Sequence, residues 1–211
     1  MFGIQDISLF VASGVLLNIT PGQDTIYIVT RSLAQGKSAG LLSVLGISTG
    51  LVFHTCAAAL GLSAILSASP VLFQTIKLLG ALYLIYLGWR MLKTPLNLGC
   101  QGQAGDDGGR LTSVYFQGVL TNVFNPKVAL FFLAFIPQFI SSSSTQHTAA
   151  FLLLGGIFIT TGTLWCLGLS FFASSLGRLL RNRQFLGDRV NSFAGLALIG
   201  LGLKLGLGAW R

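Results

Sequence analysis

Two long stretches of this 211-residue chain carry no formal charge: residues 38–75 and 147–177 contain no Lys, Arg, Asp or Glu. Soluble domains place charged side chains at about a quarter of their positions. Here 9% are charged and 53% are hydrophobic. A bilayer needs roughly 20 apolar residues per helical span, and residues 38–75 hold two such lengths. The pattern requires an all-α integral membrane protein, because a helix satisfies its own backbone in hydrocarbon.

Six spans are expected, over about residues 7–30, 39–66, 71–89, 113–140, 148–176 and 190–209. Ser69 and Pro70 form a tight uncharged turn, with Ser69 placed to cap the next helix and Pro70 at its first position. Residues 94–112 are polar and Gly-rich. They divide the chain into a first three-helix repeat (residues 1–93), a cytoplasmic linker (94–112) and a second repeat (113–211).

The net charge of +8 is explained by the distribution of the bases. Arg31, Lys37, Arg90, Lys93, Arg110, Arg178, Arg181, Arg183 and Arg189 all fall after odd-numbered spans, and the loops after spans 2 and 4 hold none. Cytoplasmic loops of membrane proteins are loaded in this way, so both termini are expected outside; the membrane is expected to be a bacterial-type inner membrane. No basic patch is interleaved with stacking aromatics, which argues against nucleic acid as a partner. The N-terminus lacks the positive region and small-residue site of a cleavable signal. Cys56, Cys100 and Cys166 show no metal or redox spacing, and no cofactor is expected. The 16 Phe are expected to face lipid or to pack.

Two spans are interrupted. Asn18-Ile19-Thr20-Pro21-Gly22-Gln23-Asp24 breaks span 1, and Asn125-Pro126-Lys127 breaks span 4. The residues before each break match: Gly14-Val15-Leu16-Leu17-Asn18-Ile19 against Gly118-Val119-Leu120-Thr121-Asn122-Val123. Span 1 runs inward and span 4 outward, so the chain reads as a 3+3 inverted repeat with broken helices 1 and 4. Paired interrupted spans of this kind mark a transporter site near the bilayer midplane. Thr20-Pro21-Gly22-Gln23 fits a capping box, and Asn125-Pro126 a second cap with Pro at the first helical position. Each break would start a half-helix whose positive end faces a shared cavity and favours a carboxylate. The alternative is that both prolines only kink packed helices.

Asp24 is the only acid well inside a span, and Lys127 falls in the first turn of a half-helix, where a cation is disfavoured and calls for an anionic partner. Each charge costs about 2.5–3.5 kcal/mol in a bilayer on insertion scales. His54 lies mid-span and is either a proton carrier, a role suited to an imidazole, or a packed, hydrogen-bonded residue. Gly46/Gly50 and Gly202/Gly206 are spaced for close helix packing, within one chain or in a homo-oligomer.

N-x-T-P-G-Q-D in span 1, R-S-L-A-Q-G-K-S-A-G-L after it, Y-L-I-Y-L-G-W-R closing span 3, and F-x-x-G-V-L-T-N-V-F-N-P-K-V-A-L-F-F in span 4 together resemble the LysE/RhtB family of amino-acid exporters. The resemblance covers about residues 4–207. It implies proton-driven export of small amino acids or derivatives, in the homoserine/threonine branch. The substrate would lie among Asn18, Thr20, Pro21, Gly22, Asp24, Asn122, Asn125, Pro126 and Lys127, with Asp24 and His54 as proton-coupling candidates. The family often has a second proline where this chain has Gln23, which bears on fine specificity. The competing reading is a membrane enzyme using Asp24, His54 and Lys127 as acid–base groups. It lacks paired carboxylates, a metal motif or a nucleophile motif. No ATP-binding loop motif is present either.

Single cysteines introduced at Ser38, Gly105 and Gln184 are expected to react only from the cytoplasmic side, and those at Ser69 and Ser143 only from outside. Cytoplasmic labelling at Ser143 would overturn this topology.

Overall fold

The computed structural model describes residues 2–93, 111–141 and 144–180, with residues 196, 199–200, 202–203 and 206–207. Most of the expected linker, the last basic loop from Arg181 to Arg189, Cys100 and most of span 6 lie outside the described residues. The described elements are α1 (Ile7–Ile19), α2 (Gln23–Ala68), α3 (Pro70–Lys93), α4 (Leu111–Val123), α5 (Pro126–Leu130) and α6 (His147–Leu180). A π-helical turn over Phe131–Phe135 and a 3-10 turn over Ile136–Phe139 follow α5. By length and composition α2 and α6 can cross a membrane, and α4 with the segment Pro126–Phe139, bent by 46°, makes a third candidate span.

α2 is two helices joined at Gly36, whose φ of 82° is open to glycine without strain. A Cβ on Gly40 would collide with the Ser32 hydroxyl, and Ile28 shares a buried cluster with Val44 and Ile47. The second leg therefore folds back on the first. The expected basic loop is a one-residue hairpin, with Arg31 and Lys37 both in helical backbone. At this end of the bundle Arg31 donates to Gln117 of α4, and the Lys37 ammonium lies 5.5 Å from the Phe171 ring centroid of α6. At the other end the N-terminal residues pair with the segment after the 3-10 turn. Gln5 N–H donates to Phe139 O at 2.9 Å, Ser141 N–H to Gly3 O at 2.9 Å, and Ile4 bridges Ile140.

The two breaks differ in how they are capped. Asn125 behaves as the sequence implies: its Oδ1 accepts from Lys127 N–H at 3.0 Å, with Pro126 in the first turn of α5. The capping box expected at Thr20 does not form. The residue preceding α2 is Gly22, in extended backbone and with no side-chain cap, and Thr20 Oγ1 donates back to Leu16 O at 2.8 Å. A Thr hydroxyl at the end of a helix can bond the carbonyl four residues earlier; here it closes α1 instead of opening α2. Span 4 is also less regular than expected after its break. Pro137 removes the N–H that would reach back to Leu133 in an α-helix, and the chain passes through π and 3-10 turns.

The core is aromatic. Phe10, Phe131, Phe132, Phe135, Phe139, Phe151 and Phe158 are buried in one cluster joining α1, the irregular segment, the second leg of α2 and α6. Phe131 stacks on Phe158 at 4.3 Å and on Phe135 at 4.7 Å. Outward-facing positions are apolar too: Leu60, Val71 and Leu164 are 72%, 77% and 65% exposed. A water-facing surface would carry charge there; a lipid-facing one would not.

Small residues set the helix crossings. A Cβ on Gly46 would strike Tyr115 O and lie 3.1 Å from Gly118 Cα, and one on Gly50 would lie 2.6 Å from Asn122 Cβ. The first Gly-x-x-x-Gly pair thus seats α4 on α2 within one chain. Gly202 likewise meets Ala81 O of α3, at 2.7 Å for an added Cβ. The matched run of span 1 crosses α6 in the same manner: Gly14 meets the Phe158 ring at 3.3 Å, and Asn18 Oδ1 lies 3.2 Å from a Cβ on Gly162.

Gly46→Val is expected to cost at least about 1–3 kcal/mol through overpacking. Gly61→Val and Gly156→Val, where an added Cβ meets nothing within 4 Å, should leave thermal stability in detergent near that of the parent. Asn125→Ala should cost about 0.5–2 kcal/mol as a lost cap. Thr20→Val should cost less, and equal losses in a melting experiment would restore a capping role to Thr20.

Candidate functional site

The breaks come together because α1 and α4 each end at a proline that cannot donate. In a continuous helix the Leu17 carbonyl would accept from residue 21 and the Asn122 carbonyl from residue 126; both positions are proline. An unpaired carbonyl at membrane depth costs several kcal/mol by the usual estimate, roughly 2–7. Leu17 O is satisfied from elsewhere in the fold, and Asn122 O first of all within its own break. Lys127 Nζ donates to Leu17 O at 2.9 Å and to Thr20 O at 2.7 Å. His54 Nε2 lies 3.2 Å from Asn122 O, which also accepts from Asn125 N–H at 2.9 Å.

Lys127 is thereby accounted for. The sequence calls for an anionic partner; what the fold supplies is the carbonyl end of α1, the negative end of a helix dipole. The side chain lies across the bare face of Gly22, where an added Cβ would sit 3.5 Å from its Cδ.

Asp24 occupies the first turn of α2, where the helix dipole favours an acid. Its Oδ2 accepts from Asn122 Nδ2 at 2.9 Å. Its Oδ1 and Asn122 Oδ1 are both buried without a hydrogen-bond partner. Buried carboxylate oxygens are rarely left so.

Between the breaks lies a cavity of about 40 Å³, lined by Asn18, Thr20, Gly22, Asp24, Asn125 and Lys127 on its polar side. Leu17, Ile47, Leu51, Val128 and Phe158 make the apolar side, with Thr25, Gly162 and Cys166 between. Ligand pockets usually hold about 300–1,000 Å³; this space suits one to a few waters. Of the residues singled out from the sequence, Pro21, Pro126, Asn122 and His54 do not line it. The prolines create the orphaned carbonyls, and Asn122 and His54 stand behind Asp24 and the second break. His54 is buried against Phe132, with ring centroids 5.6 Å apart, so it sits as a packed, hydrogen-bonded residue. Asn18 turns its amide to Thr161 Oγ1, at 3.4 Å.

Each break was expected to start a half-helix with its positive end toward a shared cavity. After the second break the chain stays helical from Pro126 to Phe139, as five α-helical residues followed by π and 3-10 turns. The sequence also gave no sign of Cys166, Phe158 or Gly162. They come from span 5, which has no break, and only its crossing with α1 brings them here. Among the described residues no cluster of His, Cys, Asp or Glu could hold a metal ion.

Comparison with known proteins accords with this geometry. A family model described as LysE type translocator matches residues 15–208. An uncharacterized membrane protein of Bacillus subtilis is 34% identical, over 94% of this chain and 97% of its own length. Leucine efflux proteins of Enterobacter sp. and Klebsiella pneumoniae are 27% and 26% identical, each alignment covering 97% of this chain and 96% of the relative. No solved structure matches the chain significantly. The family match runs through both breaks, and it sets aside the enzyme reading. This multi-pass membrane protein belongs to the LysE family of translocators.

Proposed function

We propose that the chain is a secondary exporter of neutral amino acids, taking its substrate into the cavity between the two breaks and coupling export to the proton gradient. The observation that carries this is the placing of one acid, Asp24, and one ammonium, Lys127, on the wall of one buried cavity. A zwitterion carries the same two charges in reverse. Its carboxylate would go to Lys127 and its ammonium to Asp24, whose Oδ1 has no other partner. Each charge that is costly alone in the membrane is then neutralised by the substrate.

The apolar side of the cavity, Ile47, Leu51, Val128 and Phe158, favours an aliphatic side chain. The two relatives named leucine efflux protein support leucine as the first substrate to test, with homoserine and threonine next. The cavity of about 40 Å³ is smaller than any of them, so loading requires the half-helices to part.

The inverted 3+3 arrangement of six spans belongs to the same proposal, with repeats over 1–93 and 113–211 about a linker at 94–112. The equivalent crossings support it: Gly118 and Asn122 on Gly46 and Gly50, Gly14 and Asn18 on Phe158 and Gly162. The grouping of Arg31 with Gln117 and of Lys37 with Phe171 at one end supports a cytoplasmic face there and both termini outside. Asp24 is the proton site in this scheme. Protonation weakens its hold on the substrate ammonium and releases it on the acidic side. His54, bonded to the carbonyl freed by Pro126, relays the state of the second break and is the second candidate for proton coupling.

The test is counterflow and gradient-driven transport by purified protein in liposomes, with labelled leucine, threonine and homoserine. Asp24→Asn, nearly isosteric, should insert normally while losing at least about tenfold of the pH-driven flux, the scale of one lost charged hydrogen bond. Normal gradient-driven transport by this variant would remove the proton role from Asp24.

A further inference from the structure

The Leu17 and Thr20 carbonyls form a cation site that already holds a primary ammonium, and that ammonium is tethered to the protein. We infer that this carbonyl pair is the subsite for the substrate's own ammonium, and that Lys127 is a built-in competitor that keeps it filled until substrate displaces it. The inference rests on the exporter reading above and adds an order of events to it.

Four observations carry it. First, the site is built for a cation. Pro21 deprives Leu17 O of its helical donor, the break at Gly22 frees Thr20 O, and both oxygens lie at the negative end of α1. Second, its occupant has the chemistry of the proposed ligand. Lys127 Nζ makes two hydrogen bonds there, at 2.9 and 2.7 Å. An α-ammonium has the same three donors and the same charge.

Third, Asp24 Oδ1 is buried and unpartnered on the same cavity wall. It adds a third oxygen on that wall for an incoming ammonium. Fourth, the cavity is small, at about 40 Å³, with the Lys127 side chain lying over Gly22. Withdrawing that side chain both vacates the carbonyls and enlarges the space.

The exchange conserves charge throughout. The incoming ammonium takes Leu17 O, Thr20 O and Asp24 Oδ1. The released Lys127 ammonium swings to the incoming carboxylate. A molecule with only an amine displaces Lys127 but leaves it with no anion in the membrane. A molecule with only a carboxylate cannot draw Lys127 from its carbonyls. Both heads are therefore required together, and the lock itself selects α-amino acids over amines and acids.

The test uses the full-length protein in nanodiscs and three probes: leucine, 3-methylbutylamine, which lacks the carboxylate, and 4-methylpentanoate, which lacks the amine. Binding is measured by calorimetry on the parent and on Lys127→Met. The parent should bind leucine and neither single-headed analogue measurably. Lys127→Met should gain 3-methylbutylamine binding, by about tenfold or more over the parent, because the carbonyls lose their competitor. It should also lose leucine affinity, and its melting temperature should rise with added 3-methylbutylamine while that of the parent does not. Lys127→Gln, whose amide keeps one bond to the carbonyls, gives the same readout in a milder variant and should fall between the two.

If the variants lose leucine but gain no amine binding, the competitor role is overturned and the carboxylate-binding role of Lys127 stands. If they bind leucine as the parent does, both that role and this inference fall.

Discussion

A proline inside a membrane helix leaves the carbonyl four residues earlier without a donor, and hydrocarbon offers no water in its place. The organisation of the site follows from that constraint applied twice. Pro21 frees Leu17 O and Pro126 frees Asn122 O. Lys127 Nζ comes from another element to meet the first, and the second is met by Asn125 N–H of its own break with His54 Nε2 beside it. Satisfying these carbonyls brings Lys127 to the end of α1 and His54 to the end of α4, and so closes a polar cavity inside an otherwise apolar bundle. The polar residues are the means by which two interrupted helices coexist in one membrane fold.

Much of this was legible in the sequence. Charge-free runs point to the class, and matched runs ending at Ile19 and Val123 with a proline soon after point to the paired breaks. Those breaks singled out Asp24, Asn125 and Lys127. The Asn125 cap formed as its type and position imply. Thr20 misled, because a Thr at a helix end has two ways to use its hydroxyl, and the carbonyl behind it at Leu16 was nearer than an amide ahead. The partners of Lys127 could not be read at all, since backbone carbonyls leave no mark in a sequence of side chains. Phe158, Gly162 and Cys166 stayed hidden for a related reason: what brings them to the cavity is a crossing angle set by glycines, and an apolar span looks the same whichever neighbour it crosses.

The spaced glycines illustrate how one signal admits two meanings. Gly46 and Gly50 permit close approach without naming the partner. The partner is α4, through Gly118 and Asn122. The small residue thus lets two backbones close to contact, and the same contact backs Asn122 against α2 so that its amide faces Asp24. Packing and polarity at the site are therefore not separable: a larger residue at Gly50 would push on the group that holds the carboxylate.

α1 is fastened at both ends to residues far ahead of it in the chain. Its N-terminal approach is pinned to Phe139 and Ser141, its C-terminal carbonyls to Lys127, and its flank to Phe158. During synthesis, α1 enters the bilayer long before any of these exist. Its two open carbonyls and Asp24 must then wait in lipid, or at the interface, until more than a hundred further residues have been made. α1 is thus inserted well before it can be completed. Long-range closure of this kind slows folding and leaves partly built states exposed, and α1 is the element that waits longest on residues made after it.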